Sequence, residues 1–488
     1  MACVYLGVDI GTTSAKCLAV RDDGEVLALA QHAYGLSHPH QDWAEQDPED
    51  YWRGLADVVG QCVNDCAAKG HAKEDIAALA LSTQGDTLIA TDQEGLPLAP
   101  ALSWMDKRAE AECHELIGET GKSFWYKETG IGLTALSSAA KIRWLARNAP
   151  EVFRRIARFS WVPDFLANRL CGTFVADVPS ASWTPLFSPH ARDWSEPVLS
   201  LLQVSREMVP VAVESGTVIA DLRPDPANEL GLAPSTRLVA GAFDQAAAAH
   251  GAGAAGFRSV LSCGTAWVLY AVSHVPVVDE LEQIPVCCHT APNEWGMVLP
   301  FTGGSAYDWL RDTFHRGARR PEGQRQRLVF VPHLYGGLSP DWRGESKGSI
   351  LGLTMSHSYE DVELALMRGL AFEARRNVEA AERLCGRIPA LRMVGGAGKS
   401  ATWPQIIADA LGRPVEVSGL LESAAYGAAK LAAGAASAQW EGSQQARHFA
   451  PDPDAAADMQ AQYARYLRCY QALLPLYEGE AQTRSQSD

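Results

Sequence analysis

Two short stretches of this 488-residue chain have residue types and a spacing that suit them to bind phosphate groups. Leu6–Lys16 contains Gly11-Thr12-Thr13-Ser14, and Val260–Tyr270 contains Gly264-Thr265, each between two runs of β-forming residues. A glycine in such a turn lets backbone amides approach an anion closely, and a threonine adds a hydroxyl donor. Because each turn opens one half of the chain, the sequence predicts a pair of phosphate-binding hairpins.

Asp9 ends the first predicted strand, directly before the Gly-Thr turn. A carboxylate at that point can hold a hydrated Mg²⁺ against phosphates bound by the turn, although aspartate is also common as a turn-capping residue. Lys16, in the second strand of the hairpin, is equally consistent with a phosphate contact and with a solvated strand residue.

Asp244 follows a short apolar strand at Leu238–Gly241 and precedes an alanine-rich helix. A carboxylate at the carboxyl end of a strand faces the crevice in which open α/β sheets bind ligands. There it could accept a proton from an attacking hydroxyl, as phosphoryl transfer to an alcohol requires. Aspartate is also favoured as a helix N-cap, so the residues alone leave both roles open.

A third polar cluster has the residue types that bind several hydroxyl groups. It comprises Ser82, Thr83, Gln84, Gly85 and Asp86, followed by Trp104, Asp106 and Arg108. Amide and carboxylate groups pair with hydroxyls, and Trp104 offers a stacking wall, although a core position is the commoner role of tryptophan. Gly85 is expected to leave free space, and the Asp86 carboxylate can accept two hydroxyl hydrogens.

Two glycine-rich motifs resemble nucleotide-binding signatures but lack the context of those signatures. Gly251–Gly256 fits GxGxxG, yet no convincing strand precedes it and no acidic residue follows at the Rossmann distance. Gly398-Lys399-Ser400 resembles the end of a P-loop, but Met393 stands where that motif requires its first glycine. Gly395–Gly398 still lies between a predicted strand and a helix, where glycines let the backbone pack against a flat ring or a ribose.

The elements expected to position these groups alternate between strands and helices, which is typical of layered α/β domains. Asp47-Pro48 is the expected N-terminus of the first helix, because it combines an N-cap residue with proline at the first helical position. Further predicted elements are strands at Ile76–Ser82, Leu88–Thr91 and Leu391–Val394, and helices at Met105–Ile117, Ser138–Arg147, Tyr359–Cys385, Trp403–Leu411 and Glu422–Ala436.

Length and composition indicate a two-domain globular protein, with domains predicted at 1–250 and 251–488. The hydrophobic content of 47% and charged content of 20% are ordinary for such a chain. A formal net charge of −16 argues against nucleic acid or an anionic membrane as the partner. We expect a cytoplasmic location, because no secretory leader or membrane-spanning stretch is apparent and the eleven cysteines lack disulfide or zinc-site spacing.

Taken in order along the chain, these motifs resemble the FGGY family of carbohydrate kinases over nearly the whole length. The matching segments are Asp9–Ser14, Ala44–Trp52, Gly95–Pro100, Trp104-x-Asp-x-Arg108, Lys141–Asn148, Asp244, Gly264-Thr265, Gly348–His357, Gly395–Ser400 and Glu422–Ala429. The resemblance implies an α/β fold of two actin-like, ribonuclease-H-like domains around a deep catalytic cleft. The sugar would bind mainly to the first domain and ATP mainly to the second.

The resemblance also implies roles for individual residues. Asp244 would be the general base and Asp9 the Mg²⁺ ligand. The implied ATP site is Gly11, Thr12, Thr13, Ser14, Lys16, Gly264, Thr265, Gly304, Asp308, Gly395, Gly396, Ala397 and Ser400. The implied sugar site is Gln84, Gly85, Asp86, Trp104, Asp106, Asp244 and Gln245. The expected partners are therefore a small sugar and ATP with Mg²⁺, and homodimers are common in the family.

The sequence says less about which sugar accepts the phosphoryl group than about the fold or the reaction. Members that phosphorylate xylulose usually carry Met-His, and those that phosphorylate glycerol carry Arg-Glu, where this chain has Gly85-Asp86. D-xylulose, giving the 5-phosphate, is the first expectation, and ribulose, gluconate, glycerol and erythritol are alternatives. An actin-like nucleotide switch would keep both hairpins, but the Trp104-x-Asp-x-Arg108 cluster speaks against it.

Overall fold

The computed structural model describes residues 3–253, 259–314, 328–420, 422–438 and 446–485. The chain forms two compact units, each assembled from separate stretches. Unit 1 comprises Met1–Gly253, Ser273–Gly296 and Leu420–Ser443, and unit 2 comprises Ala254–Val272, Met297–Gly419 and Gln444–Asp488. Unit 1 thus includes two segments that lie beyond the expected division at residue 250.

Unit 1 contains a six-stranded sheet and several short strand pairs. Its strands are β1 (Val4–Ile10), β2 (Ser14–Arg21), β3 (Val26–Ala33), β4 (Glu45–Gln46), β5 (Ile76–Thr83), β6 (Ile89–Thr91), β7 (Ala101–Leu102), β8 (Arg158–Ser160), β9 (Val175–Asp177), β10 (Phe187–Ser188), β11 (Asp193–Trp194), β12 (Val211–Val213), β13 (Val218–Asp221), β14 (Arg237–Phe243) and β17 (Val286–Cys288). Its helices are α1 (Pro48–Ala68), α2 (Glu110–Thr120), α3 (Lys122–Thr129), α4 (Ser138–Asn148), α5 (Pro150–Phe153), α6 (Val162–Cys171), α7 (Val178–Ser182), α8 (Glu196–Leu202), α9 (Pro224–Leu230), α10 (Asp244–Gly251) and α14 (Ser423–Gly434).

Unit 2 contains the second hairpin and, in its described residues, four α-helices. Its strands are β15 (Ser259–Cys263), β16 (Ala266–Ser273), β18 (Trp295–Thr302), β19 (Val329–Val331), β20 (Ser349–Leu351), β21 (Leu391–Val394), β22 (Val415–Val417) and β23 (Arg447–Phe449). Its helices are α11 (Gly304–Thr313), α12 (Tyr359–Cys385), α13 (Thr402–Leu411) and α15 (Pro453–Ser485). Short 3₁₀ helices occur at Lys73–Asp75, Arg206–Met208 and Gly396–Lys399.

The sheet of unit 1 has the strand order β13-β14-β5-β1-β2-β3. Strands β1, β2 and β3 form an antiparallel meander, and β5 and β14 run parallel to β1. The carboxyl ends of parallel strands meet at one edge of a sheet. Asp9 at the end of β1, Thr83 at the end of β5 and Asp244 after β14 therefore come together at the same edge.

Unit 2 repeats this plan, with the consecutive strands β18-β16-β15-β21-β22-β23 in its sheet. Strands β15 and β16 form the antiparallel hairpin, and β21 and β22 run parallel to β15. The two Gly-Thr turns thus occupy equivalent places, between the first and second strands of two similarly ordered sheets. The repeat that the sequence suggests at domain scale is present in the topology.

Small residues let α14 lie directly on the unit 1 sheet. A Cβ atom built on Gly7 would lie 1.8 Å from the carbonyl oxygen of Ala425, so any side chain at this position would force β1 and α14 apart. Alanines of β5 and α14 fill the same interface. The opposite face of the sheet packs on α1, α6 and α9 through larger apolar side chains. Both faces of β1 are therefore fixed, and with them the turn that follows.

One predicted helix begins later than expected. Met105–Ile117 was the predicted span, but the helix runs over Glu110–Thr120. The Asp106 carboxylate accepts hydrogen bonds from the backbone N–H of Ala44 and of Arg108, at 2.7 and 3.0 Å. These side-chain bonds hold residues 104–109 as turns instead of a helical first turn.

Within the described ranges, none of the helices combines the length and the apolar character that a bilayer span needs.

Candidate active site

The first hairpin turn fixes Asp9 at the edge of the unit 1 sheet. Asp9 pairs with Lys16 across the hairpin and with Ser82 on β5. Gly11 N donates a hydrogen bond to Ser14 O over 3.0 Å and closes the turn. Oδ1 of Asp9 accepts a hydrogen bond from Ser82 Oγ over 2.7 Å. The carboxyl group is thus oriented through one oxygen, and Oδ2 lies 4.0 Å from the place a Cβ on Gly11 would take.

Asp9 and Asp244 share an electrostatic environment that disfavours the charged form of both. Burial raises the pKa of Asp9 to about 6, although the Ser82 hydrogen bond and Lys16 lower it. Burial, and after it the negative charge of Asp9, raises the pKa of Asp244 to about 7. Carboxyl groups that interact in this way are typical of sites that bind a cation or transfer a proton.

The contacts of Asp244 differ from those of an ordinary helix N-cap. Phe243 occupies the cap position of α10, and Asp244 is the first helical residue. Oδ1 of Asp244 accepts a hydrogen bond over 2.6 Å from the N–H of the next residue, Gln245. An N-cap side chain instead accepts from the second or third helical N–H. The structure therefore favours the chemical role over the capping role that the sequence left open.

The phosphate turn of unit 1 is held by side chains from three other segments. Nε1 of Trp104 donates to Thr12 Oγ1 over 2.9 Å, and Nε2 of Gln46 donates to the carbonyl oxygen of Thr12 over 2.7 Å. The hydroxyl of Tyr34 donates to Gly11 O over 2.5 Å. Thr13 is exposed. The turn is therefore preorganised, and its exposed threonine faces solvent.

Lys16 is engaged by a carboxylate that sequence reasoning did not consider. Its Nζ lies 2.6 Å from Oε2 of Glu422, which has a φ of 52° immediately before α14. Both side chains are partly exposed. Lys16 is thus neither a solvated strand residue nor an unpaired phosphate ligand, because Glu422 offsets its charge.

Gln84 belongs to a buried hydrogen-bond network with one unfilled acceptor. Its Nε2 donates to Oε1 of Gln46 and to the hydroxyl of Tyr51, at 3.0 and 3.2 Å. Among the described residues, its Oε1 has no hydrogen-bond partner although the side chain is only 3% exposed. An unfilled buried acceptor costs free energy unless a ligand or water donates to it. This geometry suits a substrate hydroxyl.

The expectation that Gly85 leaves free space is wrong. A Cβ atom built on Gly85 would lie 2.2 Å from Cδ1 and 2.8 Å from Nε1 of Trp183. The indole ring of Trp183 therefore already occupies the space that a side chain at position 85 would enter.

Asp86 is held in an unusual backbone conformation, with a φ of 49°. Oδ2 accepts from the backbone N–H of Ser138 over 3.1 Å, and Oδ1 accepts from Nε1 of Trp161 over 3.3 Å. Burial raises the pKa of Asp86, and the nearby charge of Lys141 lowers it. Each carboxylate oxygen has a second lone pair, so Asp86 is oriented and can still accept a hydroxyl hydrogen.

Asp106 positions other groups, in contrast to Asp86. It is completely buried, and both of its oxygens bind Arg108. Arg108 also pairs with Glu45 over 2.6 Å and lies on the ring of Trp43. The expected substrate role of Asp106 has no geometric support here, because its acceptors are filled by protein donors. Trp104, two residues earlier, is 41% exposed and remains available to a ligand.

The second Gly-Thr turn gathers the glycines of unit 2. Gly304 N donates to Gly264 O over 3.1 Å, and Ser305 N donates to Thr265 O over 2.9 Å. A Cβ on Gly304 would lie 2.6 Å from Gly264 O. One on Gly395, which has a φ of 96°, would lie 2.7 Å from the carbonyl oxygen of Cys263. Gly264, Thr265 and Gly395 are exposed, so three backbone segments meet with no side chain between them.

The remaining predicted nucleotide residues lie at the margin of this glycine cluster. Gly396 and Ala397 begin the 3₁₀ turn, and Ser400 N donates to Ala397 O over 3.3 Å. Asp308 is exposed one turn into α11 and pairs with Arg311 over 3.0 Å. The Asp308 carboxylate therefore pairs within its own helix, whereas Ala397 and Ser400 are continuous with the glycine cluster.

Several residues that contact the site were not assigned a role from the sequence, namely Tyr34, Gln46, Tyr51, Ser138, Trp161, Trp183 and Glu422. Most are distant in sequence from the groups that they contact, so no local spacing reveals them. Gln46, Tyr51 and Glu422 lie inside segments that match the FGGY family, and that resemblance was the available signal.

Comparison with known proteins decides the family. The N-terminal domain of the FGGY family of carbohydrate kinases matches residues 4–251, and the C-terminal domain of that family matches residues 259–436. This chain belongs to the FGGY family of carbohydrate kinases. It is a sugar kinase with the two-domain mixed α/β fold of that family, as its motif order predicts, and kinases of this family use ATP as the phosphate donor.

Similar FGGY kinases carry different substrate names. A xylulose kinase of Escherichia coli (strain K12) is 29% identical over 492 residues, covering 97% of this chain and 100% of the relative. A glycerol kinase of Methylibium petroleiphilum is 31% identical over 508 residues, covering 95% of this chain and 98% of the relative. The crystal structure of gluconate kinase from Lactobacillus acidophilus shares the fold, with a TM-score of 0.89 at 22% identity, covering 98% of this chain and 100% of that one. The family is therefore established, and the acceptor sugar must be argued from the site.

Proposed function

We propose that this FGGY kinase transfers the γ-phosphoryl group of ATP to a hydroxyl of a neutral ketose or polyol, with D-xylulose as the first candidate. The observation that carries the proposal is the Asp244 carboxyl group, which stands at the end of β14 with a pKa raised to about 7. It lies at the same sheet edge as the polar loop of Gln84 and Asp86.

Asp244 is suited to act as the general base. A base whose pKa is close to the operating pH accepts a proton well and is still ionised in a large fraction of molecules. Gln245 orients the carboxylate, with its backbone N–H bound to Oδ1, and the carboxylate has further lone pairs that can accept the hydrogen of a sugar hydroxyl. In a loose phosphoryl-transfer transition state, this orientation matters more than base strength.

The residues present fit a magnesium-nucleotide complex. Among the described residues, no group of three or more His, Cys, Asp or Glu side chains is placed to hold a metal alone. Mg²⁺ usually needs one or two carboxylates and completes its shell with water and substrate phosphates. Asp9 would hold it, because a cation there would relieve the repulsion between Asp9 and Asp244. When bound, the ion supplies charge neutralisation for the phosphates.

Two exposed turns are suited to the nucleotide. The turn at Gly11 to Ser14 in unit 1 and the glycine cluster of Gly264, Gly304 and Gly395 in unit 2 have exposed residues and glycines without side chains, so a phosphate can approach their backbone closely. Backbone amides in such turns bind phosphate oxygens. The support for Lys16 as a phosphate ligand is weaker, because Glu422 pairs with it.

The charges around the acceptor loop favour a neutral sugar over an aldonate. Asp86 and Asp244 are acidic, and the nearby Lys141 is completely buried with Nζ donating to Ser103 O over 2.7 Å. A substrate carboxylate about 4 Å from Asp86 would cost about 4 kcal/mol at an effective dielectric constant of 20. We therefore expect gluconate to be a poor acceptor. The end-to-end match with a xylulose kinase supports D-xylulose as the first neutral candidate.

The test is phosphorylation of an acceptor panel by the purified full-length protein with ATP and Mg²⁺. The panel contains D-xylulose, D- and L-ribulose, L-xylulose, glycerol, erythritol and gluconate. We expect one neutral acceptor to give a kcat/KM at least 100-fold above that of gluconate. Preference for gluconate would overturn the charge argument, and ADP release that no acceptor stimulates would overturn the proposed function.

A further inference from the structure

Trp183 stands between the acceptor loop and the strand end that carries Asp244. Its ring stacks on Phe243, with the centroids 5.1 Å apart and the planes inclined by 3°. Its Cδ1–Nε1 edge fills the place of a side chain at position 85. Phe243 is completely buried, whereas Trp183 keeps part of its surface exposed. Trp183 is thus the accessible member of an aromatic pair that adjoins both Gly85 and Asp244.

The segment that carries Trp183 is rigid. It follows α7, whose N-cap residue Asp177 accepts from Ser180 N and Ser180 Oγ over 2.7 and 2.9 Å. Ser182 Oγ accepts from Cys288 N over 2.8 Å, and Thr184 Oγ1 donates to Ala181 O over 2.7 Å. A ring mounted on such a fully hydrogen-bonded turn keeps its position when a ligand binds.

Gln84, which directly precedes Gly85, has a buried Oε1 without a hydrogen-bond partner among the described residues. On the other side of Gly85, Asp86 is oriented by the backbone N–H of Ser138 and by Nε1 of Trp161. Buried polar atoms are rarely left unpaired in native proteins, so the Gln84 oxygen indicates a ligand that donates a hydrogen bond beside the ring of Trp183.

We propose that Trp183 is a specificity-determining residue of the acceptor site. Its ring replaces the variable side chain at position 85 as a fixed wall, and its Nε1 donates a hydrogen bond to an acceptor hydroxyl. The inference rests on the proposed sugar-kinase function and deepens it, because it specifies what Gly85-Asp86 selects. A fixed indole edge next to the Gly85-Asp86 segment admits an unbranched polyhydroxylated acceptor. It excludes an acceptor that has a bulky substituent at this position.

The pair formed by Gly85 and Trp183 makes this inference testable by a double-mutant cycle. Trp183→Ala opens the wall, and we expect the ratio of kcat/KM between the best and the second-best neutral acceptor to fall at least tenfold. Gly85→Ala clashes with the ring, and we expect kcat/KM for the best acceptor to fall at least tenfold. In Gly85→Ala/Trp183→Ala the clash is gone, so we expect kcat/KM at least threefold above that of Gly85→Ala alone.

Trp183→Phe distinguishes the steric role of the ring from the hydrogen bond that its N–H donates. The phenyl ring keeps most of the wall but lacks the N–H, so we expect KM for the acceptor to rise about fivefold to tenfold while the order of preferred acceptors is unchanged. Trp52→Phe is the matched control, because Trp52 packs in α1 and donates to Glu229 over 2.7 Å, away from the acceptor loop. We expect it to leave acceptor ratios unchanged.

The KM for ATP and the thermal midpoint are measured for every variant, so a folding defect is recognised. An acceptor ratio that stays within twofold of wild type in Trp183→Ala, with normal ATP KM, overturns the inference. So does a Gly85→Ala defect that Trp183→Ala does not relieve. Failure of the proposed function looks different, because the wild-type protein itself would then phosphorylate no acceptor.

Discussion

Replacement of Asp244 by asparagine should abolish catalysis and at the same time stabilise the protein. Asn keeps an oxygen that can accept from Gln245 N, so the local geometry is retained. It removes the proton acceptor, which typically contributes 10²–10⁴-fold to the rate. We expect kcat to fall about 10³-fold while KM for ATP changes less than twofold.

The expected stabilisation follows from the raised pKa of Asp244. Since its folded-state pKa of about 7 lies above the unfolded value, the folded state binds the extra proton, and stability declines as pH rises from about 4 to about 7. The difference between the folded and the unfolded pKa of Asp244 corresponds to a loss of folding stability of at most about 4 kcal/mol. Because the residue is partly exposed, we reduce this loss to about 1–2 kcal/mol. The substitution should therefore raise the thermal midpoint at pH 7.5 by about 1–3 °C, because the entropy of unfolding is large in a chain of this length.

The assay is thermal unfolding at pH 5 and pH 7.5, combined with steady-state kinetics and ATP binding. Asp47→Asn is the matched control, because Asp47 is a true N-cap that accepts from Glu49 N over 3.0 Å. We expect this control to keep activity and to gain no stability. A lower midpoint for Asp244→Asn, together with weaker ATP binding, would refute the reasoning and assign Asp244 a structural role.

Three further predictions concern proton transfer, the glycine cluster and the buried network. The kcat/KM of the wild type should rise about tenfold per pH unit below pH 7 and level off above it, since the base must be ionised; a flat profile from pH 5.5 to 8 contradicts this assignment. Gly395→Ala should raise KM for ATP at least tenfold because of its carbonyl clash, whereas Gly412→Ala, with a φ of 62° but nothing within 4 Å, should cost only stability; equal ATP KM values would exclude a nucleotide role. Gln46→Ala should lower the free energy of unfolding by about 2–3 kcal/mol in urea titrations, because Gln84 and Tyr51 lose a buried partner, and an unchanged midpoint would disprove the network.

Local signals were sufficient for the elements that present the catalytic groups. Asp47-Pro48 starts α1 with the expected cap, and both hairpins form where glycine and threonine interrupt β-forming runs. Tyr359–Cys385 forms a helix over the predicted span. These features depend on neighbours within a few residues, so periodicity and capping residues reveal them.

Tertiary contacts account for the parts that the sequence did not reveal. The ring that fills the space at Gly85 comes from Trp183, 98 positions later, and the carboxylate that pairs with Lys16 comes from Glu422. Asp106 has the residue type of a sugar ligand, but Arg108 and the backbone of Ala44 fill its oxygens. No local pattern distinguishes a carboxylate that is free for substrate from one filled by protein donors.

The central claim is that the γ-phosphoryl group of ATP goes to the hydroxyl of a neutral sugar. The most direct measurement is ³¹P NMR of the full-length protein with ATP, Mg²⁺ and D-xylulose, followed by the other neutral acceptors. We predict a phosphate monoester resonance that grows in step with ADP, depends on the acceptor and is absent with Asp244→Asn. Inorganic phosphate as the sole product with every neutral acceptor would contradict the account.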